Sequence, residues 1–142
     1  MSDTFNLERF VAVQAQTYEA ALSEIVRGRK TSHWMWFIFP QLRGLGSSTT
    51  ARIYGITSLV EARAFLRHPI LGQRLRECVS ALLDLPNADA EEVFGSVDAM
   101  KLRSSLTLFM RAGGGPLFET ALQQWFSGQA DDRTDELLRV RL

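Results

Sequence analysis

The sequence predicts an all-α protein, a single compact domain over residues 1–142 with about seven or eight short helices. Apolar residues recur at spacings of three and four through most of the chain, which is the period of an amphipathic helix. Sustained alternation typical of β-strands is absent. No repeat or low-complexity linker divides the 142 residues, and a chain of this length that is 46% hydrophobic suits one core.

The first predicted helix begins after Asn6, a candidate N-cap residue, and ends at Gly28. The aromatic run that follows, residues 34–39, is too short for its periodicity to separate helix from strand. We expect one or two helical turns capped by Ser32 and ending before Pro40. A buried strand stays open as the alternative.

Serines predict the next two helix starts. Ser47 or Ser48 would open a short helix, and Ser58-x-x-Glu61 has the form of a capping box for a helix through about Arg67. The step from His68 to Pro69 then interrupts the chain, because a residue before proline avoids helical backbone angles. Proline suits the first turn of the helix that follows. The remaining predicted helices begin at Asp89, Ser96, Pro116 and Asp131.

Charge and cysteine content restrict the class of function. Sixteen basic residues balance sixteen acidic ones, so the basic excess expected of a sequence-independent nucleic-acid binder is missing and no nucleic-acid partner is expected. Cys78 is the one cysteine, which excludes an intramolecular disulfide. No signal-peptide pattern or apolar run of spanning length is present, so we expect a cytoplasmic protein with no membrane contact.

Metal chemistry has few candidates, because two histidines and one cysteine argue against a closed zinc site. We therefore expect no metal, and the sequence identifies no cofactor and no oligomeric state. No nucleophile elbow, kinase motif or EF-hand loop occurs either.

The segment KTSHWMWFIFPQLRGLGSS, residues 30–48, holds one of the two histidines and two of the three tryptophans. Both side chains carry polar hydrogens that need partners when buried, so this composition indicates a specific local architecture. Trp36 either stacks on a ligand ring or fills the core. The Gly44-x-Gly46 stretch permits close backbone approach at a helix start, but it lacks the third glycine of a dinucleotide fingerprint.

These residues resemble a known family, number 1810 among the domains of unknown function, whose members sometimes carry a calpastatin-like label. The resemblance extends over nearly the whole chain and implies a compact, mainly helical protein with no established activity. The composition does not support the calpastatin label, because calpastatin is a long disordered inhibitor. The matching motifs are HWMWFIFPQLRGLG (33–46), HPxLGxRL (68–75), FGxxDxxKLxSSxTxF (94–109) and, more weakly, GxxDxxT (128–134).

Two hypotheses for function follow. In the first, a pocket binds a polar or phosphate-bearing small molecule; whether the protein is an enzyme stays open. His33 and His68 are then the acid or base candidates, and Lys101 or Arg43 would stabilise negative charge. The predicted ligand-binding residues are His33, Trp36, Gln41, Arg43, Ser48, His68, Arg74, Asp98 and Lys101.

The second hypothesis is a non-catalytic protein-interaction or structural module. In that case His33 and His68 satisfy nearby backbone groups, the aromatic run is core, and an exposed apolar patch carries the function. Asp98, Lys101 and Ser105 lie at i, i+3 and i+7 of one predicted helix. They form a buried salt bridge with hydroxyl partners, a polar pocket wall, or a solvated first turn with an exposed lysine. Convergence of His33, His68 and Lys101 in one concavity would favour the first hypothesis.

Overall fold

The structure is a computed structural model that describes residues 3–86 and 88–140. Within these residues the chain forms nine α-helices and no strand, apart from an isolated parallel bridge between Leu42 and Ile56. The prediction of an all-α, single compact domain is confirmed. The helices are α1 (Glu8–Val26), α2 (Met35–Ile38), α3 (Thr49–Ile53), α4 (Leu59–Arg67), α5 (Leu71–Leu83), α6 (Ala90–Phe94), α7 (Ser96–Arg111), α8 (Pro116–Phe126) and α9 (Asp132–Val140).

Helices α5 and α7 hold the domain together. Helix α7 packs against α4, α6, α8 and α9, and α5 packs against α1, α4 and α8. Between them four fully buried rings form a chain, in which Phe10, Phe65, Phe109 and Phe118 follow one another at centroid distances of 5.1, 5.3 and 6.1 Å. Rings this large contribute much of the buried apolar area of a small domain, so this chain is the centre of the core.

Four helices begin at predicted capping residues. A side-chain oxygen there accepts a backbone N–H that has no partner inside the helix, which is why short polar residues favour this position. Ser58 accepts from the N–H of Glu61 at 3.2 Å, although Glu61 itself bonds to Thr57 rather than completing a capping box. The other three are Ser48 for α3, Asp89 for α6 and Asp131 for α9.

Two predicted caps are wrong. Asn6 lies at φ +52° before α1, and the carboxylate of Asp3 caps this helix instead, accepting the N–H groups of Leu7 and Glu8 at 2.7 and 2.9 Å. Ser32 does not cap the aromatic run, because its hydroxyl donates to Glu24. The run does form a helical turn that ends before Pro40, as expected, and no side chain caps its start.

The junction between α4 and α5 differs from the prediction, because α5 begins at Leu71 and Pro69 precedes the helix rather than lying in its first turn. The imidazole Nδ1 of His68 accepts the N–H groups of Ile70 and Leu71 at 3.1 and 3.2 Å and so caps α5. Gly72 allows the close approach of the two helices. A Cβ atom at this position would lie 2.0 Å from the carbonyl oxygen of Leu66.

Candidate ligand-binding site

The loop between α1 and α2 is held in place by one buried carboxylate. Glu24 accepts the backbone N–H groups of Thr31 and Ser32 at 2.7 and 2.9 Å, the Ser32 hydroxyl, and the indole N–H of Trp34 at 3.0 Å. Burial by itself raises the pKa of a carboxyl group, but these hydrogen bonds outweigh it and lower the pKa of Glu24 to about 2. The loop that carries Lys30 and His33 therefore has a fixed geometry.

Lys30 points from this loop toward the start of α7. Its backbone N–H donates to the carbonyl of Val93 at 2.9 Å, which ties the loop to the end of α6. Its ammonium donates to the Ser32 carbonyl at 2.6 Å and lies 2.8 Å from the Asp98 carboxylate. The side chain of Lys30 is only 7% exposed, so its ammonium group has a fixed position in the structure.

Lys101 approaches the same carboxylate from α7. Its Nζ lies 3.3 Å from Asp98 Oδ1, while Lys30 occupies Oδ2, and it also lies 4.2 Å from the centroid of the Trp36 ring. Lys30 and Lys101 are the only lysines in the sequence, in which arginine supplies the other fourteen basic residues. Two cations therefore share one anion beside an aromatic face, which leaves one positive charge uncompensated.

These side chains line a cavity of about 340 Å³, which we call the lysine cavity. It also contains the first turn of α7, where Gly95 adopts φ +81° and no side chain caps the helix. Uncapped N–H groups and the helix dipole favour a negative charge at this end. The lining residues are Lys30, His33, Met35, Trp36, Lys101 and the segment 94–98.

A smaller cavity of about 180 Å³ adjoins it, with Val97 and Lys101 in the lining of both. We call it the Gln41 cavity. It contains Gln41, Ser104, Asp131 and Arg133 as polar groups and Leu45, Gly46 and Met100 as the rest of its wall.

The structure thus brings five of the predicted residues into two adjoining cavities: His33, Trp36, Gln41, Asp98 and Lys101. The predicted ion pair between Asp98 and Lys101 is present. Ser105, which shares their helix face in the sequence pattern, is fully buried, and its hydroxyl has no partner among the described residues.

The other four predicted residues lie elsewhere. His68 lines a different cavity, between α4 and α5, and so does not converge with His33 and Lys101. Arg43 lines a third cavity, near Arg9 and Glu61. Ser48 caps α3. Arg74 lies 3.4 Å from the Gln14 amide oxygen and over the ring of Tyr18, at 4.9 Å from its centroid.

The chemistry that this arrangement offers is electrostatic recognition. His33 is exposed, and no described residue forms a hydrogen bond that would orient its ring, as proton transfer requires. The Cys78 thiol is buried, and burial raises its pKa to about 12. In the described ranges no group of three or more metal-ligating side chains occurs. Nor is any of the described helices long and apolar enough to cross a membrane.

The residue that sequence reasoning missed is Lys30. In the sequence it follows the predicted end of the first helix at Gly28, where a cation suits the helix dipole. Its partner Asp98 lies far along the chain, so spacing alone cannot pair them. The available signal was compositional: in a chain with fourteen arginines, the only two lysines fall in the segment 30–48 and in the motif 94–109.

Comparison with known proteins yields a family and a close structural neighbour. A family model described as "Protein of unknown function (DUF1810)" matches residues 4–138. The crystal structure of the conserved hypothetical protein Rv1873 from Mycobacterium tuberculosis is 48% identical over 96% of this chain and 99% of that one, with a TM-score of 0.94. The search of curated proteins gave no match.

Proposed function

We propose a binding function for this chain, which belongs to the DUF1810 family of proteins of unknown function, from the geometry of its lysine cavity. The cavity binds a small molecule that carries a phosphate or a similarly compact anion. The observation that carries this proposal is the sharing of one carboxylate, that of Asp98, by Lys30 and Lys101.

Three features of the cavity support an anion rather than a cation or an apolar ligand. Lys30 and Lys101 together bring one more positive charge than Asp98 neutralises. The uncapped start of α7 adds backbone N–H donors. The half-buried position of the two ammonium groups strengthens their attraction for a ligand, because water screens them less there than on an open surface.

Thermal stabilisation tests the proposal directly. The protein is heated with nucleotides, dinucleotides, ADP-ribose, sugar phosphates, inorganic phosphate and sulfate, each at low ionic strength. A ligand present at one hundred times its Kd stabilises the folded state by about 2.7 kcal/mol, which is a readily measured shift in Tm. At least one phosphate-bearing compound should give such a shift.

Variants locate the site. Lys101→Met keeps the aliphatic stem beside Trp36 but removes the charge, so it should abolish the shift without unfolding the protein. Arg63→Ala is the matched control, because Arg63 is an exposed cation of α4 outside both cavities, and it should leave the shift intact. Equal shifts in wild type and Lys101→Met would exclude the lysine cavity as the site.

A protein-interaction role is the second candidate, favoured by the exposed side chains of Val97 and Met100, at 64% and 71%. Both lie in the first two turns of α7, where Val97 lines both cavities and Met100 lines the Gln41 cavity, and an apolar patch there would suit a partner protein. Sedimentation of wild type and Met100→Glu would test self-association. If no compound of the panel raises the Tm and the protein associates as its concentration increases, this role is favoured.

A cytoplasmic location, expected from the sequence, stays part of either proposal and is tested by cell fractionation.

A further inference from the structure

The lysine cavity and the Gln41 cavity share Lys101 and Val97, so one elongated ligand can contact both. The two cavities differ in their polar groups. The first is cationic, whereas the second combines the neutral amide of Gln41 with the carboxylate of Asp131 and the guanidinium of Arg133. A ligand that spans both should therefore be anionic at one end and uncharged but rich in hydrogen-bonding groups at the other.

Polar groups of the Gln41 cavity retain unused hydrogen-bonding capacity. The side chains of Gln41 and Arg133 form no hydrogen bond with any described residue. Asp131 accepts the Thr134 N–H and hydroxyl through Oδ2, at 3.0 and 2.6 Å, and among the described residues Oδ1 has no hydrogen-bond donor. Amide and carboxylate oxygens accept from hydroxyl groups, and the amide and guanidinium N–H groups donate to them.

The rest of this wall is aliphatic. Leu45, Val97 and Met100 line it, and the cavity contains no aromatic ring. A sugar presents C–H groups beside its hydroxyls and matches such a mixed wall. A nucleobase would need an aromatic ring to stack on. The ring of Trp36 belongs to the lysine cavity, and the Lys101 ammonium group lies over its face.

We propose that the two cavities form one groove that binds a phosphorylated sugar. Its phosphate contacts Lys30 and Lys101 beside the Asp98 carboxylate that they share, and its hydroxyl groups contact Gln41 and Asp131. This inference rests on the proposed function, since it requires an anion in the lysine cavity, and it adds the identity of the group to which that anion is attached.

Calorimetric titration with inorganic phosphate, ribose 5-phosphate, glucose 6-phosphate, adenosine monophosphate and free glucose tests the inference. At least one sugar phosphate should bind about tenfold or more tightly than inorganic phosphate, as two added hydrogen bonds would give. Free glucose should bind more weakly than either. Gln41→Ala should reduce the affinity for the sugar phosphate while leaving that for inorganic phosphate unchanged. Asp131→Asn should reduce the ratio of the two affinities, and Lys101→Met should weaken both.

The outcomes separate the two proposals. If neither inorganic phosphate nor a sugar phosphate binds, the proposed function and this inference both fail. If sugar phosphates bind no more tightly than inorganic phosphate, or if their advantage survives both substitutions, only the sugar assignment is overturned. Tighter binding of adenosine monophosphate than of every sugar phosphate also overturns it. Asp131→Asn keeps an oxygen to cap α9. Gln41→Ala removes a side chain that forms no hydrogen bond with the described residues, so Gln41→Ala decides the test should Asp131→Asn unfold.

Discussion

The indole N–H of Trp34 donates to the Glu24 carboxylate at 3.0 Å, deep inside the domain. Trp34 is 1% exposed and Glu24 is 5% exposed, so neither group can exchange this bond for one with bulk water. The same carboxylate accepts hydrogen bonds from backbone N–H groups of the loop that carries Lys30 and His33. The geometry of the lysine cavity therefore depends on a carboxylate that is not itself in the cavity.

Glu24 should make stability depend on pH. Its folded-state pKa of about 2 lies below the ordinary value of 4.5, so the unfolded chain binds the proton more tightly. The resulting contribution is present above pH 4.5 and is lost as the pH falls toward 2, with a magnitude of about 3 kcal/mol. Urea unfolding should show Glu24→Gln much less stable than wild type at pH 6, with a smaller difference at pH 3. An equal difference at both values would contradict this assignment.

Asp98 competes with the proposed ligand for the two lysines. Asp98→Asn should therefore raise the affinity for inorganic phosphate at low salt, and this gain should shrink as salt screens the charges. The same change should lower the unfolding free energy by roughly 1–3 kcal/mol, because Lys30 is only 7% exposed and loses its charged partner. Calorimetry at two ionic strengths measures the first effect. A weaker affinity in the variant would instead make the carboxylate a necessary support for the lysines.

His68 should behave as a structural residue. Loss of its Nδ1 acceptor in His68→Ala leaves two N–H groups at the start of α5 without a cap, at a cost of about 1 kcal/mol. His68→Asn should recover most of this stability, because asparagine is a good capping residue. Phosphate affinity should be the same in all three proteins. A specific loss of binding in His68→Ala would return this residue to the list of ligand contacts.

Gly72 should tolerate no side chain. In Gly72→Ala the new Cβ would lie 2.0 Å from the Leu66 carbonyl oxygen, so α4 and α5 must separate. Overpacking of this kind costs roughly 1–3 kcal/mol and occasionally more, and contact with rigid backbone puts this position at the upper end. Gln73→Ala, at the exposed neighbouring position of α5, is the control and should change thermal stability little. Similar Tm values for the two variants would show that the helices separate at little cost.

Helix starts were predictable where the capping contact is local. Ser48, Ser58, Asp89 and Asp131 each bond a backbone group three residues ahead, and sequence spacing reports such contacts. The start of α1 was not predictable in this way, because its cap, Asp3, reaches over an intervening turn. Ser32 was misassigned for a related reason: its hydroxyl has a better partner in Glu24, on another helix.

In the candidate site, too, contacts between residues near in sequence were predictable, whereas contacts between distant segments were not. Asp98 and Lys101 are one helical turn apart, so their ion pair follows from the sequence. The contact of Lys30 with Asp98 depends on how the end of α1 meets the start of α7, which only the packed core determines. The separation of His68 from His33 likewise depends on which sides of the domain α2 and α5 face. The order of the motifs in the sequence does not determine these sides.

Both lysines of the chain line one cavity, so a reagent that reacts with lysine side chains reports on that cavity. Apart from an α-amino group, a reagent that acylates amines can modify only these two side chains, so the extent of labelling measures access to a single place. Cleavage after arginine, which acylation of lysine does not block, would place Lys30 and Lys101 on separate peptides, residues 30–43 and 77–103, and mass spectrometry could follow each independently. Any cellular acetylation of lysine in this protein would necessarily neutralise a charge of that cavity.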